Sequence, residues 1–147
     1  MTSSIRIAAA SFLLVLLVTA RAEANCTIST TSVAFGSYDV FSATPRDANG
    51  TVQIDCTPRE NIQVTLSSGS SSVFNPRTLR SGSNILNYNL FRNAARTQIW
   101  GDGSAGTSTS SANNVRNTTL TVYGRVPAAQ DAAVGNYADT IVATVIF

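Results

Sequence analysis

The sequence has no histidine and no lysine, only two cysteines, one tryptophan and 7% aromatic residues. Each shortage removes a class of function. Without histidine the commonest general base is missing, and with it the usual serine and cysteine triads. A zinc centre needs four soft or imidazole ligands, and Cys26 and Cys56 offer two at most. A phosphate loop needs a lysine behind its glycines. The stretch "WGDGSAG" (Trp100–Gly106) therefore reads as a glycine-rich turn after a strand, and for calcium it offers only Asp102 and hydroxyls. All ten basic residues are arginines, scattered along the chain against eight acids. That leaves no basic field for nucleic acid and no polybasic patch for a membrane surface. Downstream of residue 24 the acids are Asp39, Asp47, Asp55, Glu60, Asp102, Asp131 and Asp139. Most fall in turns or at strand ends, and no spacing forces two of them into a catalytic pair. The expectation is a non-enzymatic chain with no cofactor, no metal and no small-molecule substrate.

Long hydrophobic runs are also missing, except at the start. Arg6 precedes an apolar stretch from Ile7 to about Ala20, and Ala22-Glu23-Ala24 has the small-x-small form of a cleavage site. The run falls short of the roughly 20 residues a membrane helix needs. Residues 1–24 are expected to be a signal peptide and residues 25–147 the exported domain, with eight arginines against seven acids. Two cysteines in an exported chain predict one disulfide, Cys26–Cys56. Closing a loop of that length stabilises by roughly 3.5 kcal/mol on chain-entropy reasoning.

What remains is rich in Thr, Ser, Val, Asn and Gly, with short apolar runs between turn clusters and no sustained helical repeat, the pattern of an all-β domain. Strands are predicted over Cys26–Gly36, Thr51–Cys56, Asn61–Ser68, Asn84–Arg92, Thr97–Gly101, Asn117–Val126 and the final "NYADTIVATVIF". A proline turn at Thr57–Glu60 is expected between the second and third. The low-complexity stretch "GDGSAGTSTSSANN" reads as a mobile surface loop. Six or seven short strands in about 120 residues suggest a β-sandwich of immunoglobulin dimensions. Trp100 reads as a core anchor, and Asn87 and Asn89 need partners if they are buried. The glycosylation patterns at Asn25, Asn49 and Asn117 read as accidental.

The final strand raises a question of edges. Ile141, Ala143, Val145 and Phe147 fall on one side, and Val142 and Ile146 on the other. A strand apolar on both faces belongs between neighbours, and left at an edge it templates foreign strands. Either an internal strand or another chain is expected to cover it.

Three segments carry a resemblance: "NCTISTTSVAFGSYDVFSATP", "NPRTLRSGSNILNYNLFRNAARTQIWGDGSAGTS" and "VYGRVPAAQDAAVGNYADTIVATVIF". Together they span nearly all of residues 25–147, and the chain resembles the spore coat protein U domain family, which includes pilins of the archaic chaperone–usher pathway. The resemblance implies an incomplete immunoglobulin-like sandwich lacking its final strand. It implies a periplasmic chaperone, an outer-membrane usher and other pilin subunits as partners, and a route through the periplasm to a surface fimbrium. By the same resemblance the groove for a lent strand lies along Ile28, Val33 and Phe35 on one side and along Tyr137, Ile141, Val142, Ala143, Val145, Ile146 and Phe147 on the other. One departure is expected: cleavage after Ala24 leaves only Asn25 ahead of Cys26. That is too short to donate a strand at about 3.3 Å per residue, and it points to a terminal, minor or tip subunit. Two other readings stay open: a coat or matrix protein that self-associates without an usher, and a small adhesin using Phe41, Val73 and Phe74 in the loops.

Overall fold

The computed structural model of the chain describes residues 25–147. The expected signal peptide, residues 1–24, lies outside them. The spine is β2 (Arg46–Leu66). Its even-numbered apolar side chains, Val52, Ile54, Cys56, Ile62, Val64 and Leu66, are all buried, as a strand's period of two requires when one face is covered. Sequence reasoning breaks this run at a turn over Thr57–Glu60; the strand instead continues through it. Pro58 has no N–H to give to a ladder. The pairing of β2 with β5 (Ser110–Val126) shifts register between Asp55 and Glu60 and again between Glu60 and Ile62. A bulge thus accommodates the proline, and the same residue parity faces inward on both sides of it. β5 also starts early, so residues 110–114, expected in a mobile loop, are strand.

β1 (Asn25–Thr31) lies antiparallel on β2 with Cys26 directly opposite Cys56, and the two are joined by the expected disulfide. Cys56→Ser is expected to lower stability by roughly 3.5 kcal/mol, read as a lower urea midpoint under oxidising conditions. An unchanged midpoint would show that the bridge contributes nothing. β6 (Ala143–Ile146) pairs with Gln63–Leu66. Since β5 occupies one edge of β2 along most of its length, β1 and β6 share the other edge, one behind the other.

β4 (Asn84–Phe91) joins β5 through Asn89–Phe91. β3 (Arg77–Ser81) folds back on β4 across a tight turn in which Gly82 sits at φ +60°, a conformation glycine adopts without strain. The strand order is β1-β2-β5-β4-β3, with β6 on β2. The sheet curls over, and a single backbone bridge between Arg80 and Ala138 brings β3 against the chain that leads into β6. The expected strand Thr97–Gly101 is present only as isolated bridges, Phe91 to Ile99 and Trp100 to Ser108.

Among the described residues the regular elements are all β apart from one short 3-10 turn at Gly69–Ser71, as the composition predicts. Trp100 is the core anchor: it is 1% exposed, and its indole Nε1–H donates to the Val64 carbonyl at 3.0 Å. Asn87 faces solvent, whereas Asn89 is buried and has its partners, accepting from the backbone of Leu90 and from Arg77.

Candidate functional site: an open groove beside the first strand

The curled sheet does not close everywhere. Beyond Thr31 the chain leaves β1 and crosses onto the inner face of the sheet, and two glycines of that sheet make the crossing possible. A Cβ on Gly50 would lie 2.6 Å from the Thr31 carbonyl oxygen and 2.9 Å from a Val33 methyl. One on Gly124 would lie 2.5 Å from the other Val33 methyl and 2.8 Å from the Phe35 ring. Glycine in a strand interior often marks such a close approach. Val33 and Phe35 settle into this trough, and Phe35 meets Tyr88 edge to face at 5.9 Å between centroids. Gly124→Ala is expected to lift both side chains and cost about 1–3 kcal/mol, as overpacking does. Chemical denaturation measures it, and a change below about 0.5 kcal/mol would mean the segment is free to move aside.

Opposite this wall runs the segment 132–143, which is held firmly. Arg80 and Ala138 exchange two backbone hydrogen bonds of 2.9 and 3.0 Å. Ser67 gives its N–H to the Val142 carbonyl at 2.9 Å, and its hydroxyl accepts from the Val142 N–H at 3.0 Å. The Asp139 carboxylate accepts from the Tyr88 hydroxyl at 2.7 Å and from the Ser70 N–H at 2.9 Å. Burial, together with this hydrogen bond, pushes the Tyr88 phenol well above the usual range, so Tyr88 stays a neutral donor.

Between the walls lies an open groove in two adjoining parts of about 880 and 570 Å³. Its floor is the top of the core: Val52, Leu66, Leu86, Tyr88, Leu90, Val122 and Val126, all buried, and the partly buried Leu79. The walls run antiparallel, with Ile28 towards Ala143 at one end and Phe41 towards Ala132 at the other. Among the described residues, the backbone of residues 32–38, 132–137 and 139–141 makes no hydrogen bond to another backbone group. Among the described residues β1 has a strand neighbour on one edge only. Two rows of main-chain groups without backbone partners thus flank an apolar floor, and side chains meet only some of them: Arg46 the Phe35 carbonyl, Tyr137 the Ala133 carbonyl and Asp139 the Thr140 N–H.

The expected groove residues divide in two. Ile28, Val33, Phe35, Ile141 and Ala143 line the groove, as does Tyr137, whose hydroxyl donates to the Ala133 carbonyl at 2.9 Å. Val142, Val145, Ile146 and Phe147 do not line it. β6 is only four residues long and is paired to the C-terminal half of β2. Val145 sits opposite Val64 against the core, while Val142 and Ile146 are 59% and 51% exposed on the other face. Phe147, 58% exposed, lies beyond the strand's end. The far wall is therefore displaced upstream, to residues 132–143. Sequence reasoning missed Gly50, Gly124, Tyr38 and Asp139. Gly124, inside the predicted strand Asn117–Val126, was the one available signal; Gly50, just ahead of the predicted strand Thr51–Cys56, Tyr38 and Asp139 carried none. Among the described residues no three metal-ligating side chains cluster.

A profile of the Spore Coat Protein U domain matches residues 13–144. The chain belongs to the spore coat protein U domain family. Protein U of Myxococcus xanthus is 32% identical to it over 126 residues, covering 77% of this chain and 70% of that protein. Among solved structures, a chain of the CsuC–CsuE chaperone–tip adhesion subunit pre-assembly complex, from the archaic chaperone-usher Csu pili of Acinetobacter baumannii, superposes with a TM-score of 0.63. It is 24% identical and covers 84% of this chain, which spans only 40% of that one. The likeness is one of fold: an all-β, immunoglobulin-like sandwich short of a strand. The minor tip subunit HdaB of the E. coli Hda pilus gives a TM-score of 0.44 at 12% identity, with 80% of each chain covered.

Proposed function

We propose that this spore coat protein U domain chain is an exported, non-enzymatic structural subunit of a chaperone–usher fimbria that accepts a strand from a partner. The observation that carries the reading is the pairing of an apolar floor with two walls whose backbone groups lack backbone partners. An extended peptide laid between them gains main-chain hydrogen bonds on both sides and places alternate side chains on the floor. A periplasmic chaperone is the first donor and a neighbouring pilin the second, with an outer-membrane usher between the two steps and the cell surface as destination. The test is co-expression with the chaperone encoded nearest to it, followed by purification from the periplasm. A stable one-to-one complex is expected, and failure of the two chains to co-purify would overturn the reading.

The tip or minor role is a finer part of the same proposal. Asn25 is already paired opposite Thr57 in the β1–β2 ladder. Cleavage after Ala24 would therefore leave no free residue to donate, and mass spectrometry of the exported chain decides this. A second reading, self-association without an usher, is favoured by the free edge of β1, which carries no Lys, Pro or bulge to blunt it. The adhesin reading rests on Phe41, 93% exposed at one end of the groove beside the equally bare Val134. Phe74, by contrast, is tucked against Arg77.

A further inference from the structure

The two walls of the groove are tied to each other at one place. Among the described residues, every hydrogen bond between the segment 25–41 and the segment 127–147 passes through the Tyr38 hydroxyl. It donates to the Pro127 carbonyl at 2.9 Å and accepts from the Gln130 N–H at 3.0 Å. The phenol's one donor and one acceptor position are thus both spent on the opposite side. The anchor it grips is rigid. β5 stops at Val126, ahead of Pro127, and the Gln130 side chain takes the place of the missing strand. Its amide carbonyl accepts from the Asn87 N–H at 2.8 Å, and its NH₂ donates to the Asn87 carbonyl at 2.9 Å and to the Pro127 carbonyl at 3.1 Å. The Tyr38 ring itself lies against the core. Beyond this clasp the lining continues through Val40, Phe41 and Val134, so the apolar surface does not end where the clasp sits.

We propose that Tyr38 is the register stop of the groove, a specificity-determining residue that fixes how far an inserted strand runs. This rests on the strand-accepting reading above and adds to it. A strand enters along Ile28 and Ala143, covers the floor, and ends beside Phe35. To continue towards Phe41 it must break both hydrogen bonds of Tyr38. At about 3.3 Å per residue, the stretch from Ile28 to Gly36 takes a strand of about nine residues, and residues past that gain nothing.

The test uses the oxidised full domain and two synthetic peptides of alternating valine and serine, about nine and about thirteen residues long. Wild type is expected to bind both with the same affinity. Tyr38→Phe keeps the ring and removes the clasp, so it should bind the longer peptide about tenfold more tightly than the shorter, the worth of roughly one hydrogen bond plus added contact. Equal affinities for the two lengths in Tyr38→Phe would overturn the proposal, and so would a clear preference for the longer peptide in wild type. A second measurement needs no variant. Hydrogen exchange at the Gln130 amide should stay slow in wild type with either peptide bound, because the clasp remains shut. If the longer peptide releases that protection, the strand displaces Tyr38 and there is no stop. Failure of wild type to bind either peptide would sink the strand-accepting reading itself, and the register stop with it.

Discussion

Ile28→Asp is expected to leave the isolated domain folded and to weaken strand capture about a thousandfold. Ile28 stands opposite Ile54 on the inward side of β1, yet it is 46% exposed because nothing in the described chain covers it. In the free domain a half-wet isoleucine contributes on the order of 1 kcal/mol of burial, so its loss is tolerable. Once a strand lies over the groove, the same position becomes interior. An aspartate there must give up its water without a cation nearby, a penalty of several kcal/mol; about 4 kcal/mol corresponds to the thousandfold. Ser29→Asp is the control. It lies one residue away on the opposite face, facing solvent opposite Gln53, and should behave as wild type. The dissociation constants of the purified chaperone complexes decide the matter. If Ile28→Asp binds as tightly as Ser29→Asp, the side of β1 that faces the floor is not where a partner strand lies.

The two faces of β1 illustrate what a sequence can carry. Alternation along "CTISTT" sets Ile28 apart from Ser29 without any structure, just as alternation in β2, β4 and β5 marks most of the core, and Trp100 declares itself by size. Two cysteines in an exported chain leave one pairing. What alternation does not contain is the neighbour. The last apolar run looked like a central strand because it is apolar on both faces, but only Ala143–Ile146 pairs, and only with β2. Residues 132–141 hold the far wall with bonds from Arg80, Ser70 and Tyr88, none near in sequence. Pro58 hid the unity of β2, since a proline between two alternating runs ordinarily means a turn; only the compensating shift in β5 reveals a bulge. The glycine trough was half legible: Gly124 interrupts a predicted strand, but Gly50 reads as the end of a linker, and that Val33 and Phe35 lie on them depends on a crossing that no local pattern encodes.

Replacement of Arg77 carries the largest expected cost to the fold. In β3 it has the same parity as Leu79, which points it inward, but arginine is so seldom fully buried that surface placement is the default. It is 0% exposed. Its guanidinium makes no ion pair among the described residues. Instead Nε and Nη2 donate to the Ser67 carbonyl at 3.0 and 2.8 Å, Nη2 to the Trp100 carbonyl at 2.7 Å, and Nη1 to Asn89 Oδ1 at 2.8 Å, with the Phe74 ring 5.2 Å from the charge. Burial lowers its pKa, and the field of Tyr88 and Asp139 partly offsets this. Arg77→Met relieves the domain of a desolvated charge but leaves the Ser67 and Trp100 carbonyls without a donor, at about 1–3 kcal/mol each before relaxation, and Asn89 Oδ1 with only the Leu90 N–H. The orphaned acceptors outweigh the relief, and a net loss of about 3–5 kcal/mol is expected, a large part of the 5–15 kcal/mol typical of a whole domain. Arg77→Lys should recover less than half, because an ammonium cannot span three acceptors as a planar fork does. The damage also reaches the groove, since Ser67 is the residue that holds Val142 and the far wall. Urea unfolding of the oxidised domain measures the first effect, and peptide affinity at a urea concentration where the variant is still folded measures the second. A methionine variant within about 1 kcal/mol of wild type would mean the three acceptors find water, and that the guanidinium is a passenger in this core rather than its keystone.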